Sequence, residues 1–427
     1  MTYKHLYITV FSIISLMWSQ RSAAQYSIQQ ALQETRTSAP IFQLMEISNE
    51  ELQLKERNIN AQNLPHISLN GRATYQSDVT SLGISLPGVE IKPISKDQYK
   101  ITADVYQNIY SGGTIKQSAL LAKTVINLEN INTEIELEKI RYQIIQLYFS
   151  VLEIDTKKEI LTTRKQSLES NLKKLITAVN LGALLKSESN ALKAAIIQIK
   201  GQIIELKATR SNVIQNIKLL TKSDLTEDIK FEIPKNISLN TNTTLHNLNI
   251  KQFEIQNQLI DQKHNLSLLN SKPKVGIFLQ GGYGKPGLNF LKDGFDLFAI
   301  GGLQLKWDFG NLYTKANDLQ LNTLQKQKVG LKKEAVQLKN EIVFSKENIE
   351  IEKLKSLLIQ DQQLIEIRAE ITKTAKSKME NGTITSSEYI NRFNEETIAK
   401  ENLKLREIKL LKAMYQLQHL SGNYSIN

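Results

Sequence analysis

The chain has 427 residues, 41% hydrophobic and 23% charged, with only 7 prolines and no cysteine. That balance is neither disordered nor collagen-like, and the missing thiols exclude disulfides, thiol chemistry and a lipid-anchoring cysteine. The net charge of +11 comes from lysines that occur at most in pairs (Lys157-Lys158, Lys173-Lys174, Lys332-Lys333) and alternate with glutamates, the pattern of a solvated helix face rather than of a nucleic-acid stripe.

At the start, Lys4 and His5 precede an apolar run from Leu6 to Trp18, and Ser22-Ala23-Ala24 supplies small residues for cleavage. This predicts a secretory signal peptide over 1–24, with the mature chain starting near Gln25. A buried N-terminal helix is the competing reading. Beyond Gln25 no apolar stretch reaches the length of about 18 residues needed for a transmembrane helix.

Proline and glycine placement divides the rest into two similar halves. No proline lies between Pro93 and Pro234 or after Pro286, and each proline-free block is interrupted once, at Asn180–Glu188 and Glu380–Glu388. Gly182, Ser187 and Glu188 match Gly382, Ser387 and Glu388 at an offset of 200, which persists to Leu220-Thr221 and Leu420-Ser421. Upstream, Pro65 and Tyr75 match Pro273 and Tyr283 at 208, and Gly112 matches Gly310 at 198, so the first half carries ten extra residues between those anchors. An insertion of that kind belongs in a loop. The expected organisation is a duplication, 25–222 and 223–427.

Four strands are predicted, at 65–76, 99–109, 274–283 and 295–307. In the first, Ile67, Leu69, Gly71, Ala73 and Tyr75 alternate with His66, Ser68, Asn70, Arg72 and Thr74. The others repeat the pattern, with Tyr99, Ile101, Ala103 and Val105, then Val275, Ile277 and Leu279, then Leu297, Ala299 and Leu303 on one face. Runs of about ten such residues fit membrane-barrel strands, and a soluble half-buried sheet shows the same alternation. Counting separates the two. A barrel needs about eight strands, and open edges cannot sit in lipid, so four membrane strands require oligomerisation. Trp307, with Tyr106 and Tyr110 at the equivalent place, suits an interfacial aromatic belt. The loops 77–98, with Gly83, Pro87, Gly88 and Pro93, and 284–294, with Pro286 and Gly287, are expected to be extracellular.

From Thr114 to Leu181 there is neither proline nor glycine, enough helix for roughly 100 Å. Leu312 to Asn381 repeats this with Gly330 as the one interruption. Apolar residues three and four apart, such as Ile140, Ile144, Leu147, Val151 and Ile154, predict coiled-coil packing. Gly182 and Gly382 suit helix ends. Ser187 and Ser387 are expected to cap the return helices, and Glu188 and Glu388 to favour their N-terminal dipoles. Two helical hairpins follow, 114–222 and 312–422, and Leu184 and Ile384 beside the tip glycines are expected to be exposed apolar knobs. An ordinary αα-turn without a partner is the plainer alternative.

This order resembles the TolC family of outer-membrane ducts over essentially the whole mature chain. The resemblance rests on Leu64-Pro65, on Tyr110-Ser111-Gly112-Gly113 and Asp308-Phe309-Gly310 leaving the strands, and on the duplicated tips beginning Gly182 and Gly382. It implies a mostly α fold with membrane β: four transmembrane strands per chain, and a homotrimer with a 12-stranded barrel on an α-helical barrel. It implies localisation in the outer membrane with a long periplasmic extension, as the passive exit duct of a tripartite efflux or type I secretion system. The implied partners are outer-membrane lipid, a periplasmic adaptor, and an inner-membrane transporter of RND, ABC or MFS type. Adaptor contact would fall on Gly182, Ala183, Leu184, Gly382, Thr383 and Ile384. Of the two acidic entrance positions in that family, the first matches Glu388 and the second falls on Asn391, so an entrance ring here would be thinner. No enzyme motif stands out, and His5, His66, His246, His264 and His419 are scattered; no cofactor or nucleic acid is expected. The rival class is a periplasmic coiled-coil scaffold or adaptor without a pore.

Overall fold

The computed structural model describes residues 25–38, 40–80, 93–182, 185–235 and 248–421. The expected signal segment 1–24, loop residues 81–92 with Gly83, Pro87 and Gly88, and the tip residues Ala183 and Leu184 lie outside the described residues. In chain order come α1 (Ile28–Ser38), α2 (Pro40–Ala61), β1 (His66–Tyr75), β2 (Asp97–Tyr110), α3 (Thr114–Asn180) and α4 (Lys186–Thr221). Then follow α5 (Leu248–Asn270), β3 (Lys274–Lys285), β4 (Asp296–Lys306), a 3₁₀ turn (Gly310–Leu312), α6 (Lys315–Glu380) and α7 (Ser386–Leu420). The second long helix starts three residues later than expected because the 3₁₀ turn occupies Gly310–Leu312, held by Gly310 N donating to Asp308 Oδ1 at 2.8 Å. Gly330 does not interrupt α6.

The chain divides into two units. One, Leu44–Asn132 with Asn249–Glu334, holds the strands. They form one antiparallel sheet in the order β1-β2-β3-β4. Its helices are tied by polar contacts between neighbours, such as Lys326 to Asp261 at 2.6 Å and Gln252 to Asn132 at 2.6 Å.

The other unit contains the rest of the long helices. Its largest cluster gathers Tyr26 and Leu32 around Ile144, Tyr148 and Phe149 of α3, Ile214 and Ile217 of α4, and Tyr415 of α7. Tyr26 and Phe231 form a parallel bridge, and the Tyr148 hydroxyl lies 2.8 Å from Tyr26 O and 2.7 Å from Glu232 O. Phe149 is fully buried, so Phe149→Ala would cost about 3–5 kcal/mol. Arg210 of α4 holds the connection after it: its fork reaches Asp155 at 2.6 and 3.1 Å, and it also donates to Ile229 O at 2.7 Å and to Glu227 O. Toward the tips, Leu161 and Leu168 of α3 meet Ile196 and Ile199 of α4. Ile351 and Leu354 of α6 meet Ala413 and Leu417 of α7.

The capping expectation needs correction. Ser187 and Ser387 lie inside the first turns of α4 and α7. The cap positions are Leu185, which makes no side-chain cap bond, and Thr385, which accepts from Glu388 N at 3.2 Å. Only the second hairpin has a polar residue at the position that the helix leaves open, three residues before glutamate.

Candidate functional site

Two regions stand out: the faces of the sheet and the hairpin tips. In the sheet, register brings Val105 opposite Ile67 and Leu279, Ala103 opposite Leu69 and Gly281, and Leu279 opposite Gly301. One face is therefore apolar across all four strands, and it is open: Leu69 is 77%, Leu297 83% and Leu303 74% exposed. Such a face exceeds what a monomer in water leaves uncovered.

Aromatic rings stand at both ends of this face. Phe295 stacks on Tyr283 at 5.3 Å and on Tyr99 at 6.3 Å near the inter-strand loops. At the helix end, Trp307 packs on Phe309 at 4.9 Å, and its Nε1 donates to Ser271 O at 3.0 Å. A bulge between Asn108 and Tyr110 shifts the register so that Tyr110 sits opposite Val275 and joins the apolar face. From Tyr283 to Val275 is roughly 27 Å along the strand, or about 20 Å after a barrel-like tilt. From Phe295 to Trp307 the same arithmetic gives about 30 Å. These values bracket the apolar band of about 25 Å that aromatic girdles flank in outer-membrane barrels. Tyr106 does not stand among these rings. It lies on the opposite face, paired with His66 and Phe278, and its hydroxyl donates to Asn108 Oδ1 at 3.2 Å.

The other face is polar. Asp104 is its organising carboxylate, accepting from Asn70 at 2.7 Å and Thr102 at 2.9 Å on Oδ2, and from Gln280 at 2.5 Å on Oδ1.

At the tips, Gly182 and Gly382 have φ of +73° and +71°, the left-handed conformation that closes a helix. Thr383 donates to Lys378 O from both its amide, at 2.9 Å, and its hydroxyl, at 2.8 Å. Ile384 is not the exposed knob expected. It is half-buried against a cluster of Leu175, Leu192, Met379 and Tyr389, because residues of both hairpins pack around it. Glu388 and Asn391 are exposed, and neither side chain makes an ion pair or hydrogen bond among the described residues. The contact that sequence reading did not find is Glu188. Its Oε2 accepts from Ser386 N, the first residue of α7, at 2.6 Å, placing a carboxylate at the positive end of that helix. Asn171 Nδ2 donates to the buried Tyr389 hydroxyl at 2.8 Å, and Lys174 pairs with Glu380 at 2.8 Å, which holds the Glu380 carboxyl below its ordinary range. Between the tips lies a groove of about 330 Å³, lined by Gly182, Leu185, Glu188, Met379, Gly382 and Ile384 among others.

Among the described residues no three potential metal ligands stand together, and no helix is long and apolar enough to cross a membrane. No family model and no curated protein matches the sequence. Solved structures do match. The outer membrane protein VceC of Vibrio cholerae aligns with a TM-score of 0.71 at 12% identity, over 92% of this chain and 96% of its own. The Campylobacter jejuni CmeC outer membrane channel aligns at 0.70 and 12% identity, over 92% and 85%. The open Neisseria gonorrhoeae MtrE outer membrane channel aligns at 0.67 and 12% identity, over 92% and 88%. The chain has the TolC-type channel fold. Within that fold the sheet and the two hairpins keep the order expected from the duplication.

Proposed function

We propose that three copies of this chain form the outer-membrane exit duct of a tripartite efflux or type I secretion assembly. What carries the reading is the seam between β2 and β3. β2 is the second strand of the first repeat and β3 the first strand of the second, yet they pair along their length, with one bulge between Asn108 and Tyr110. β4 and β1 are the equivalent strands at the two open edges, and they run antiparallel to one another. An open edge cannot persist in lipid, so β4 of one copy receives β1 of the next, and three copies close twelve strands. The apolar face then meets lipid, Tyr110 and Trp307 lie at an interface, and the polar face lines the pore. The helices carry a matching need for neighbours: Leu338, Ile342 and Ile349 on α6, and Ile197 and Ile204 on α4, are exposed at the four- and seven-residue spacing of coiled-coil seams.

The tips, with Gly182, Gly382, Thr383 and Ile384 beside their groove, receive a periplasmic adaptor, and the segment 183–184 belongs to the same contact. Glu388 and Asn391 face the entrance. Selectivity and energy come from an inner-membrane transporter.

The seam gives a test with a definite register. Within repeats, His66 pairs with Tyr106 and Lys274 with Lys306. With β1 mapping to β3 at 208, β2 therefore maps to β4 at 200. Transferring the Ala103–Gly281 pair puts Leu303 opposite Ala73 of the neighbouring copy. The chain has no cysteine, so a Leu303→Cys, Ala73→Cys double variant should oxidise in membranes to covalent dimers and trimers. A Leu303→Cys, Tyr75→Cys pair, displaced along the strand, should not. A stable monomer in detergent, with no cross-link from either pair, would overturn the duct.

A further inference from the structure

The polar face of the sheet carries cations in an arrangement that strand pairing ordinarily avoids. Arg72 on β1 sits directly opposite Lys100 on β2, and Lys274 on β3 directly opposite Lys306 on β4. Like charges placed directly across a ladder destabilise it, and here two such pairs occupy the two ends of one face. Among the described residues none of these four side chains has a carboxylate in an ion pair. The two carboxylates that share the face are otherwise engaged. Asp104 makes no ion pair with these cations, accepting instead from the neutral donors Asn70, Thr102 and Gln280, and is a single negative charge against the four; Asp296 takes the Lys292 ammonium at 2.7 Å.

Lys100 is moreover seated. Its ammonium lies 4.5 Å from the centre of the Phe298 ring. That ring lies against Gly282, where an added Cβ would overlap it. At Gly284 an added Cβ would stand 3.3 Å from Lys100 Cγ and 2.8 Å from Tyr99 O. Two glycines of β3 thus leave a floor on which the ring and the lysine stem rest, which is a recurrent reason for glycine inside a strand. The ammonium is held by cation–π attraction and makes no ion pair.

We propose that this wall selects anions, with Arg72–Lys100 and Lys274–Lys306 as cationic rings near its two ends, and that the exported solutes carry carboxylate, phosphate or sulfonate groups. The inference rests on the duct reading, since it is closure by three copies that makes each pair a ring of six charges. A narrow passage with low-dielectric walls focuses such a field and concentrates counter-ions of the opposite sign, and rings of Arg and Lys are how anion pores are built.

The test is the reversal potential of the purified full chain in a planar bilayer of zwitterionic lipid under a potassium chloride gradient. The wild type should reverse on the chloride side. Arg72→Glu with Lys100→Glu, and separately Lys274→Glu with Lys306→Glu, should each shift reversal toward potassium, and the fourfold variant should change its sign. The neutral pair Arg72→Gln with Lys100→Gln should fall between and carries the test if charge reversal prevents insertion. Lys100→Arg should keep the wild-type value. Conductance with a reversal potential that none of these changes moves would overturn the rings and leave the duct standing. Absence of any conductance from the wild type would overturn the duct and the rings with it.

Discussion

Leu279 offers the sharpest test of which face of the sheet meets lipid. It is four residues from Tyr283 and four from Val275, the partner of Tyr110, so it stands about 13 Å along the strand from either aromatic row. That is the midpoint of the apolar band. Leu279 is 55% exposed, so its replacement by arginine loses little packing within the chain, and the penalty must come from the surrounding lipid. At a bilayer midplane that penalty is about 2–4 kcal/mol per chain, falling to about 0–1 near the interfaces. Summed over three independent copies it becomes roughly 6–12 kcal/mol. Leu69, Ile101 and Ile277 lie on the same face and should follow the same depth rule. Ser68, on the other face, should accept arginine within about 0.5 kcal/mol. The measurement is denaturant unfolding of protein folded into vesicles, followed by fluorescence of Trp307, since the other tryptophan, Trp18, falls in the expected signal segment. Expected is a large loss for Leu279→Arg, a small one for Tyr283→Arg, and almost none for Ser68→Arg. Equal losses at Leu279 and Ser68 would refute the assignment of faces.

Four further outcomes are expected. Arg210→Met should cost about 3 kcal/mol, because it bares Asp155 and two backbone carbonyls together, and should expose 223–235 to protease; Arg210→Lys should restore only part, lacking the fork. Burial, with the Arg141 guanidinium nearby, holds the His419 imidazole down at about 4. The unfolded chain, at about 6.5, therefore takes the proton first; stability is complete above pH 6.5 and falls by up to about 3 kcal/mol toward pH 4. His419→Gln should flatten that slope in unfolding midpoints measured across this window. At Gly382 an added Cβ meets nothing within 4 Å, so Gly382→Ala should cost only the left-handed backbone, about 1–2 kcal/mol, whereas Gly330→Ala, in open space inside α6, should gain about 0.5–1 kcal/mol in a urea titration.

Periodicity carried the architecture because both signals are local. Alternation marked all four strands to within two residues, and two long blocks without proline marked α3 and α6. The errors arose where a distant or inserted residue decides. Proximity groups Tyr106 with Tyr110, but the bulge between Asn108 and Tyr110 reverses which face the last residue takes, and a bulge that needs no glycine leaves no mark in the sequence. Residue type points to Ser187 and Ser387 as caps, whereas the cap positions lie two residues upstream, at Leu185 and Thr385. Ile384 looked like a free knob because nothing within its own hairpin covers it fully; its cover includes Leu175 and Leu192, about two hundred residues earlier. Glu188 binding Ser386 N is a contact of the same range.

That contact also exposes what the duplication leaves incomplete. Glu188 and Glu388 occupy the same position of the repeat, and Lys186 and Ser386 are the equivalent first residues of α4 and α7. Glu188 finds Ser386 in its own chain, but the mirror contact, Glu388 to the amide of Lys186, is not made, and Glu388 stays exposed. The two tips do not differ in what Glu388 could bind. They differ in what stands beside them, since one chain has a second hairpin on one side of the first and none on the other. In a closed ring the missing neighbour is the next copy, and Glu388 would meet the N-terminus of its α4 as Glu188 meets that of α7. A carboxylate at a helix N-terminus gains about 0.3–1 kcal/mol when exposed and up to about 2 when partly buried. Glu188→Gln and Glu388→Gln should therefore weaken entrance closure by similar amounts, read as increased resting conductance of the reconstituted pore, while only Glu188→Gln should alter the unfolding of a detergent-dissociated monomer. An effect of Glu388→Gln on the monomer, or none on the assembled pore, would show that Glu388 has no such neighbour.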